Sequence, residues 1–271
     1  MKLDPFIDFK YIVKNHNKNI LNNKTAVVTG GSGRIGSVFS SILLVNGCEV
    51  LILSRDEKKF LNFRKNIPLK YKKKLYWKEL DLLNPEKISD IIDVKSNIDF
   101  LINNASSHYR GENFFYNHNN IKDEFFGLIG SSILITEKIL KNMRKQKNGK
   151  IINIGSIWGF SAPKFNTYLE MNIAPSLMTA VCKSGIEQMT KYLASRESKY
   201  NIIVNALSPG WFPRKNKKQR LDYITMINKD IPLRKIGSLG DLISVVNFLI
   251  DNKNKYFTGQ TIRIDGGHSI W

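Results

Sequence analysis

Between residues 25 and 36 an apolar run ending at Thr29 meets Gly30, Gly31 and Gly33, and an apolar-periodic stretch resumes from Arg34. That order reads as strand, tight turn, helix. Glycine lets the backbone turn sharply and approach a ligand closely, and the helix beyond offers unpaired N–H groups and the positive end of its dipole. Gly31, Gly33 and Gly36 fall in the G-x-G-x-x-G register of a dinucleotide-binding turn. Alone the register is a weak signal, because glycines also punctuate ordinary loops. A further strand expected over residues 49–54 completes a βαβ unit around it, and that context makes a dinucleotide site the stronger reading.

From Lys24 onward the pattern alternates steadily. Strands are expected near 25–29, 49–54, 74–78, 98–103, 150–155, 201–206 and 260–264, and helices near 34–46, 56–66, 85–94, 121–146, 175–199 and 238–251. Repeated βα alternation with short connections predicts an α/β fold, a doubly wound parallel sheet of about seven strands in a Rossmann-like, three-layer α/β/α arrangement. Residues 24–271 are expected to form a single dinucleotide-binding domain. Residues 1–23 are read as an N-terminal extension; Phe6, Phe9, Tyr11, Ile12 and Val13 give it a partly amphipathic face to pack on the domain or on a neighbouring subunit.

Charge and cysteine usage narrow the function classes. The two cysteines, Cys48 and Cys182, lack C-x-x-C spacing or a nearby histidine cluster, so reduced structural thiols are expected and no metal site. No apolar run is long enough to span a membrane and the N-terminus lacks a signal-like segment, which points to a cytoplasmic chain without membrane partners. The formal net charge of +19 is unusual. Three readings compete: lysine-rich composition without specific meaning, a field favouring phosphorylated or acidic substrates, and nucleic-acid binding. The lysines concentrate locally at Lys70, Lys72, Lys73 and Lys74 and at Arg214, Lys215, Lys217 and Lys218, but no nucleic-acid module accompanies them, so that partner is disfavoured.

In parallel sheets ligands bind beyond the carboxyl ends of the strands, and polar residues gather there in this chain: Ser54-Arg55, Asp81-Leu82, Asn103-Asn104-Ala105-Ser106, Gly155-Ser156 and Ser208-Pro209-Gly210. An acid at the second strand's tip binds the adenosine ribose of NAD, whereas a cation accommodates the 2′-phosphate of NADP. Ser54-Arg55 puts a cation there, and Arg34 in the turn adds a second, so NADP(H) is favoured over NAD(H). The competing reading leaves Arg55 in solvent and gives the ribose to Asp56.

These residues, with Lys183, Asn205 through Gly210 and the terminal Asp265-Gly266-Gly267, resemble the short-chain dehydrogenase/reductase family from about Lys24 to the C-terminus. The stretch from Ala162-Pro163 to the Lys183 helix is similar to members from bacterial surface-glycan and flagellin-glycan pathways. The resemblance implies that Gly30, Ser32, Gly33, Arg34 and Ile35 wrap the pyrophosphate, that Ser54 and Arg55 meet the adenosine ribose or its phosphate, and that Asp81 and Leu82 border the adenine. Asn104 and Ala105 line the ribose channel, Lys183 bonds the nicotinamide ribose, and Pro209, Gly210 and Phe212 border the nicotinamide. Most members of this length carry a glycine where Arg34 stands.

A larger departure concerns the chemistry. The family pairs a serine that holds the substrate oxygen with a tyrosine acid–base and a lysine four residues later; Ser156 and Lys183 fit, but the residue four before Lys183 is Thr179. The family's additional asparagine aligns near Gly127 or Leu128. A phenol with a pKa of about 10 can be lowered toward neutrality by a neighbouring cation, and an aliphatic hydroxyl cannot take that part. Tyr168, His108, Tyr109 and Lys183 itself are candidate substitutes, each with a plainer reading as a packing aromatic, a loop residue or a ribose ligand; Glu170 is most simply a solvated charge. The resulting expectation is an NADP(H)-dependent oxidoreductase acting on a carbonyl or secondary alcohol of a sugar-derived or phosphorylated small molecule, with non-standard acid–base catalysis. The alternative is a catalytically degenerate member that binds nucleotide and serves as a partner subunit. A homo-oligomer, dimer or tetramer, is implied through the helices near 121–146 and 175–199.

Overall fold

The computed structural model describes residues 8–15, 20–84, 87–88, 97–106, 118–170, 176–212 and 221–270. In chain order the elements are α1 (Phe9–Asn15), β1 (Thr25–Thr29), α2 (Arg34–Val45), β2 (Glu49–Ser54), α3 (Glu57–Lys65), the one-turn α4 (Leu69–Lys72), β3 (Leu75–Glu79) and β4 (Phe100–Asn103). There follow α5 (His118–Phe125), a π turn (Phe126–Gly130), α6 (Ser131–Gln146), β5 (Gly149–Ile154), a 3-10 turn (Ile157–Gly159), α7 (Phe165–Glu170) and α8 (Leu177–Glu197). After them come β6 (Ile202–Pro209), α9 (Leu221–Lys229), α10 (Ile243–Ile250) and β7 (Thr261–Ile264).

The strands form one seven-stranded sheet in the order β3-β2-β1-β4-β5-β6-β7, every pair parallel. The order reverses between β1 and β4, which opens a crevice at their carboxyl ends. β4 and β5 are buried along their whole length, the pattern of central parallel strands covered on both faces. Successive side chains divide between the faces. Val28, Phe100, Ile102 and Ile152 join Phe39, Ile42 and Val246 on one side, while Val27, Leu101 and Ile151 join Ile135, Ile139 and Leu193 on the other.

The segment before β1 packs on this same chain: Phe9 and Ile12 are buried, and the Phe9 ring lies 5.1 Å from that of Tyr71. Two differences from the sequence expectation have physical causes. The single helix expected over 121–146 is interrupted by the π turn, where Gly127 and Gly130 weaken helical propensity and the Phe125 and Phe126 rings crowd the Gly130 backbone. The strand expected to end at 206 runs on to Pro209, because Leu207, Ser208 and Pro209 are opposite Ile262, Arg263 and Ile264 of β7. The helix expected over 85–94 falls almost entirely outside the described residues.

Candidate active site

The glycine turn is tied to the end of β4. Gly30 has φ +62, a conformation that favours glycine, and its carbonyl accepts from the Gly33 N–H at 2.8 Å and from Asn104 Nδ2 at 3.1 Å. Thr29 Oγ1 accepts the N–H groups of Asn104 and Ala105, each at 2.9 Å, and Asn104 Nδ2 also donates to the Thr29 carbonyl. A Cβ on Gly36 would stand 2.3 Å from the Gly30 oxygen and 2.6 Å from Asn104 Nδ2. No side chain caps the start of α2, where Gly33 is the N-cap, so the first-turn N–H groups remain for a ligand. This tight, uncapped cradle fits the diphosphate of a dinucleotide. Overpacking of the kind a methyl at 36 creates costs ~1–3 kcal/mol, so Gly36→Ala is expected to weaken nucleotide affinity by about tenfold, read by fluorescence titration with NADPH.

At the tip of β2, Asp56 is engaged as the N-cap of α3: its carboxylate accepts from the Lys59 N–H at 2.9 Å and pairs with Lys59 Nζ at 3.1 Å. The Lys59 backbone hydrogen bond is the first cause that holds its carboxyl below the usual range. Arg55 lies exposed, 3.9 Å from Asp81, a pair too solvated to fix either partner. Ser54 Oγ accepts from Trp77 Nε1 at 3.0 Å, Leu82 is buried, and Asp81 accepts from the Leu83 N–H. Arg34 Nη1 donates to the Phe212 carbonyl at 2.9 Å, binding the first turn of α2 to the segment that follows β6. Ser32 is buried within the turn, and Ile35 packs against the core beneath it.

Across the crevice, α8 brings Lys183 under the end of β5. Lys183 Nζ donates to the Ile154 carbonyl at 2.8 Å, two residues before Ser156. Burial lowers its pKa to about 8, with Cys182 a smaller opposing influence. Ser156 caps the 3-10 turn, its Oγ accepting from the Trp158 N–H at 3.3 Å. Thr179 is buried one turn before Lys183, on the same face of α8. Ser176 caps that helix by accepting the Thr179 N–H at 3.0 Å, and it donates to the buried carboxylate of Glu124, whose oxygens lie at 2.9 and 3.1 Å.

Tyr168 is buried in an aromatic cluster, edge-on to Trp158 at 5.6 Å and tilted against Trp211 at 5.8 Å. Its helix is fastened by Thr167 Oγ1, 2.7 Å from an oxygen of Asp230, and by the Lys164–Asp230 pair. Beyond β6, Gly210 N–H donates to the Ile264 carbonyl at 3.0 Å, and Phe212 is buried against Gly237. Pro209 closes β6 as its last residue, where a missing N–H is tolerated. His108, Tyr109, Arg214, Lys215, Lys217 and Lys218 lie outside the described residues, as does the Glu170 side chain.

Sequence reasoning passed over a buried polar ladder. Asn103 Nδ2 donates to Thr136 Oγ1 and to Asn153 Oδ1, and Asn153 Nδ2 donates to Thr190 Oγ1, each at 2.9 Å. It joins β4 and β5 to α6 and α8. The signal was available, since asparagines within apolar strand runs need partners when buried. Ser176 and Glu124 were missed too; a serine three residues before Thr179 is an ordinary helix-cap signature. Among the described residues no group of three His, Cys, Asp or Glu side chains could hold a metal, and no helix is long and apolar enough to cross a membrane. Both cysteines are free and buried, and burial pushes the Cys182 thiol up to about 11.

Fold and site thus define a dinucleotide-binding enzyme of the doubly wound class, and the comparisons agree. Residues 32–269 match the family model described as enoyl-(acyl carrier protein) reductase. The chain belongs to the short-chain dehydrogenase/reductase family of NAD(P)-dependent oxidoreductases. It is 28% identical over 261 residues to the post-translational flagellin modification protein A of Campylobacter coli, covering 93% of this chain and 100% of that protein. It is 30% identical over 258 residues to the 3-oxoacyl-(acyl-carrier-protein) reductase of Rickettsia prowazekii, covering 91% and 97%. Among solved structures, a short chain dehydrogenase from Leptospira borgpetersenii with bound NAD+ superimposes with a TM-score of 0.78 at 27% identity, covering 93% of this chain and 94% of that one.

Proposed function

We propose that the chain is an NADP(H)-dependent oxidoreductase that interconverts a carbonyl and a secondary alcohol on a sugar-derived or phosphorylated small molecule. The observation that carries this reading is the buried Lys183 ammonium at the Ile154 carbonyl, beside Ser156 and on the same edge of the sheet as the glycine turn. The NADP preference is supported by Arg55 at the tip of β2 and by Asp56, whose carboxylate is committed to its helix cap. The Leptospira relative with NAD+ is the counterweight, so titration with NADPH and NADH side by side decides the cofactor. The substrate class is supported by the likeness to flagellin modification protein A and by the positive charge of the chain.

In this proposal Gly30, Ser32, Gly33 and Ile35 hold the diphosphate, Ser54 and Arg55 the adenosine ribose phosphate, and Asp81 and Leu82 the adenine. Asn104 and Ala105 border the ribose channel, and Pro209, Gly210 and Phe212 border the nicotinamide. A bound nicotinamide supplies the hydride in reduction and accepts it in oxidation. Ser156 Oγ holds the substrate oxygen. Lys183 orients the nicotinamide ribose. With Thr179 where the family has its phenol, Lys183 is also the group we assign to proton exchange with the substrate oxygen, since it is the buried cation one turn after Thr179, whereas Glu187, a turn further along the same face, accepts from Ser208 Oγ. Tyr168 forms part of the aromatic wall beside Ser156. The assembly is a homo-oligomer built on α6 and α8, whose outer faces expose Ile133, Leu134, Val181 and Tyr192.

Turnover is measured by NADPH absorbance against a panel of keto-sugars and their phosphates. Thr179→Tyr is the discriminating variant. Native turnover is expected to fall while NADPH affinity stays within about threefold, because the new ring overfills a site that works without it. A gain of ~10²–10⁴-fold would mean a lost catalyst restored, and would overturn the non-standard chemistry.

A further inference from the structure

The outermost strand of the sheet carries a surface that this chemistry does not use. β3 lies at the edge, and residues 57–78, covering α3, α4 and β3 up to Lys78, hold nine lysines and arginines against one acid, Glu57. Aromatic contacts gather these elements into one face: Phe60 of α3 stacks on Trp77 of β3 at 5.9 Å, and Tyr71 of α4 meets Phe9 of α1. Lys58, Arg64, Lys65, Lys70 and Lys73 are exposed there. Lys74 is turned inward, donating to the Gly47 carbonyl at 2.7 Å. Set among the cations are two large apolar side chains in solvent, Leu61 at 51% and Leu69 at 78% exposure; Tyr76, next to Trp77 in the strand, is turned to the other face of β3. Leu69 opens α4, with Pro68 before it and Lys70, Lys72 and Lys73 behind.

We propose that this edge docks on an anionic lipid surface, the cations meeting the headgroups and Leu61 and Leu69 entering the interface between them. Charge alone fits any polyanion, and the exposed leucines decide the occupant. A single-stranded nucleic acid rewards stacking aromatics and leaves aliphatic side chains in water, whereas a bilayer interface takes up the leucines. The contact is peripheral, consistent with the absence of a membrane-crossing helix among the described residues. The sheet order places β2, β1 and β4 between this edge and β5, so a docked molecule keeps Ser156 and Lys183 clear of the bilayer. The proposal stands independently of the assigned reaction.

The test is co-sedimentation of the full chain with vesicles of phosphatidylcholine, with and without phosphatidylglycerol. Binding is expected only to the anionic vesicles and is expected to weaken as salt shortens the screening length. The triple variant Lys70→Glu/Lys72→Glu/Lys73→Glu is expected to lower partitioning by about tenfold or more, since each basic residue at the surface adds to the attraction. Lys145→Glu/Lys253→Glu/Lys255→Glu changes net charge equally at exposed positions elsewhere, and is expected to lower it by less than about twofold. Leu61→Ser/Leu69→Ser is expected to remove the binding that survives high salt. Equal losses from the two triples, indifference to the leucine pair, or no affinity for anionic vesicles overturns the proposal. Capture of a single-stranded RNA in place of vesicles overturns it as well and assigns the edge to nucleic acid.

Discussion

Lys183→Met is expected to abolish turnover, by ~10²–10⁴-fold or more, while leaving the fold as stable at neutral pH as it was. The two halves of this result share one cause. Burial holds the Lys183 pKa down to about 8, so below that pH the native state contains a charge that water would solvate better. The unfolded chain keeps its lysine protonated up to about 10.4, and therefore binds more protons between the two values. Stability contributed by this position is lowest below pH 8 and rises as pH climbs through that window. Methionine fills similar volume without the charge, so the loss of the Ile154 hydrogen bond is offset by the removed desolvation. Activity runs the opposite way. A protonated Lys183 is what the proposed ribose contact and proton transfer require, so kcat/KM for reduction is expected to fall as pH rises through about 8. A flat profile from pH 7 to 9 would remove Lys183 from the chemistry.

Glu197→Ala is expected to lower stability by about 3 kcal/mol, seen as a lower denaturant midpoint with little change in slope. The Glu197 side chain has no exposed surface, and its oxygens take Arg144 Nε at 2.7 Å and Arg144 Nη2 at 2.6 Å, with Arg196 sharing the second oxygen. Arg196 also reaches Glu137, so α6 and α8 are cross-linked by four charges. Removing one partner of a buried pair leaves an uncompensated charge, and the cost runs to ~3–5 kcal/mol; the lower end applies because both guanidiniums are about one-third exposed. Burial alone pushes the Glu197 carboxyl up, but Arg144 and Arg196 outweigh it and hold it below the usual glutamate value. Its contribution is therefore complete above the ordinary carboxylate range and is lost as pH falls through the lowered value. Glu197→Gln is expected to flatten that acid limb, and an unchanged limb would count against this account.

The sheet was readable from sequence because parallel central strands must be apolar on both faces, and Phe100–Ile102 of β4 and Ile151–Ile152 of β5 have that character. The glycine turn was legible for the same kind of reason: few backbones need glycines so closely spaced. The register drew attention to Gly31, Gly33 and Gly36; within the turn the structure finds the closest approach at Gly36 and adds Gly30, with its positive φ, which the register leaves out. Arg34 illustrates what a linear reading cannot reach. Its neighbours in the chain suggested a cation for the adenosine phosphate; its bond to the Phe212 carbonyl, 178 residues away, is one that no local pattern announces. Glu124 was hidden likewise, because its place beside the Ser176 cap becomes visible only once α5 lies against the start of α8, whereas the cap itself was a local signal.

The ladder of Asn103, Asn153, Thr136 and Thr190 has a consequence for stereochemistry. Apolar packing lets a helix slide or roll by small amounts, whereas directional bonds to both α6 and α8 fix each helix's rotation about its own axis relative to the strand tips. Lys183 and Thr179 therefore keep one azimuth whatever the loops above them become. In the proposed reaction the scaffold therefore fixes the point from which Lys183 acts, while the loops decide how each substrate's two substituents are placed against it.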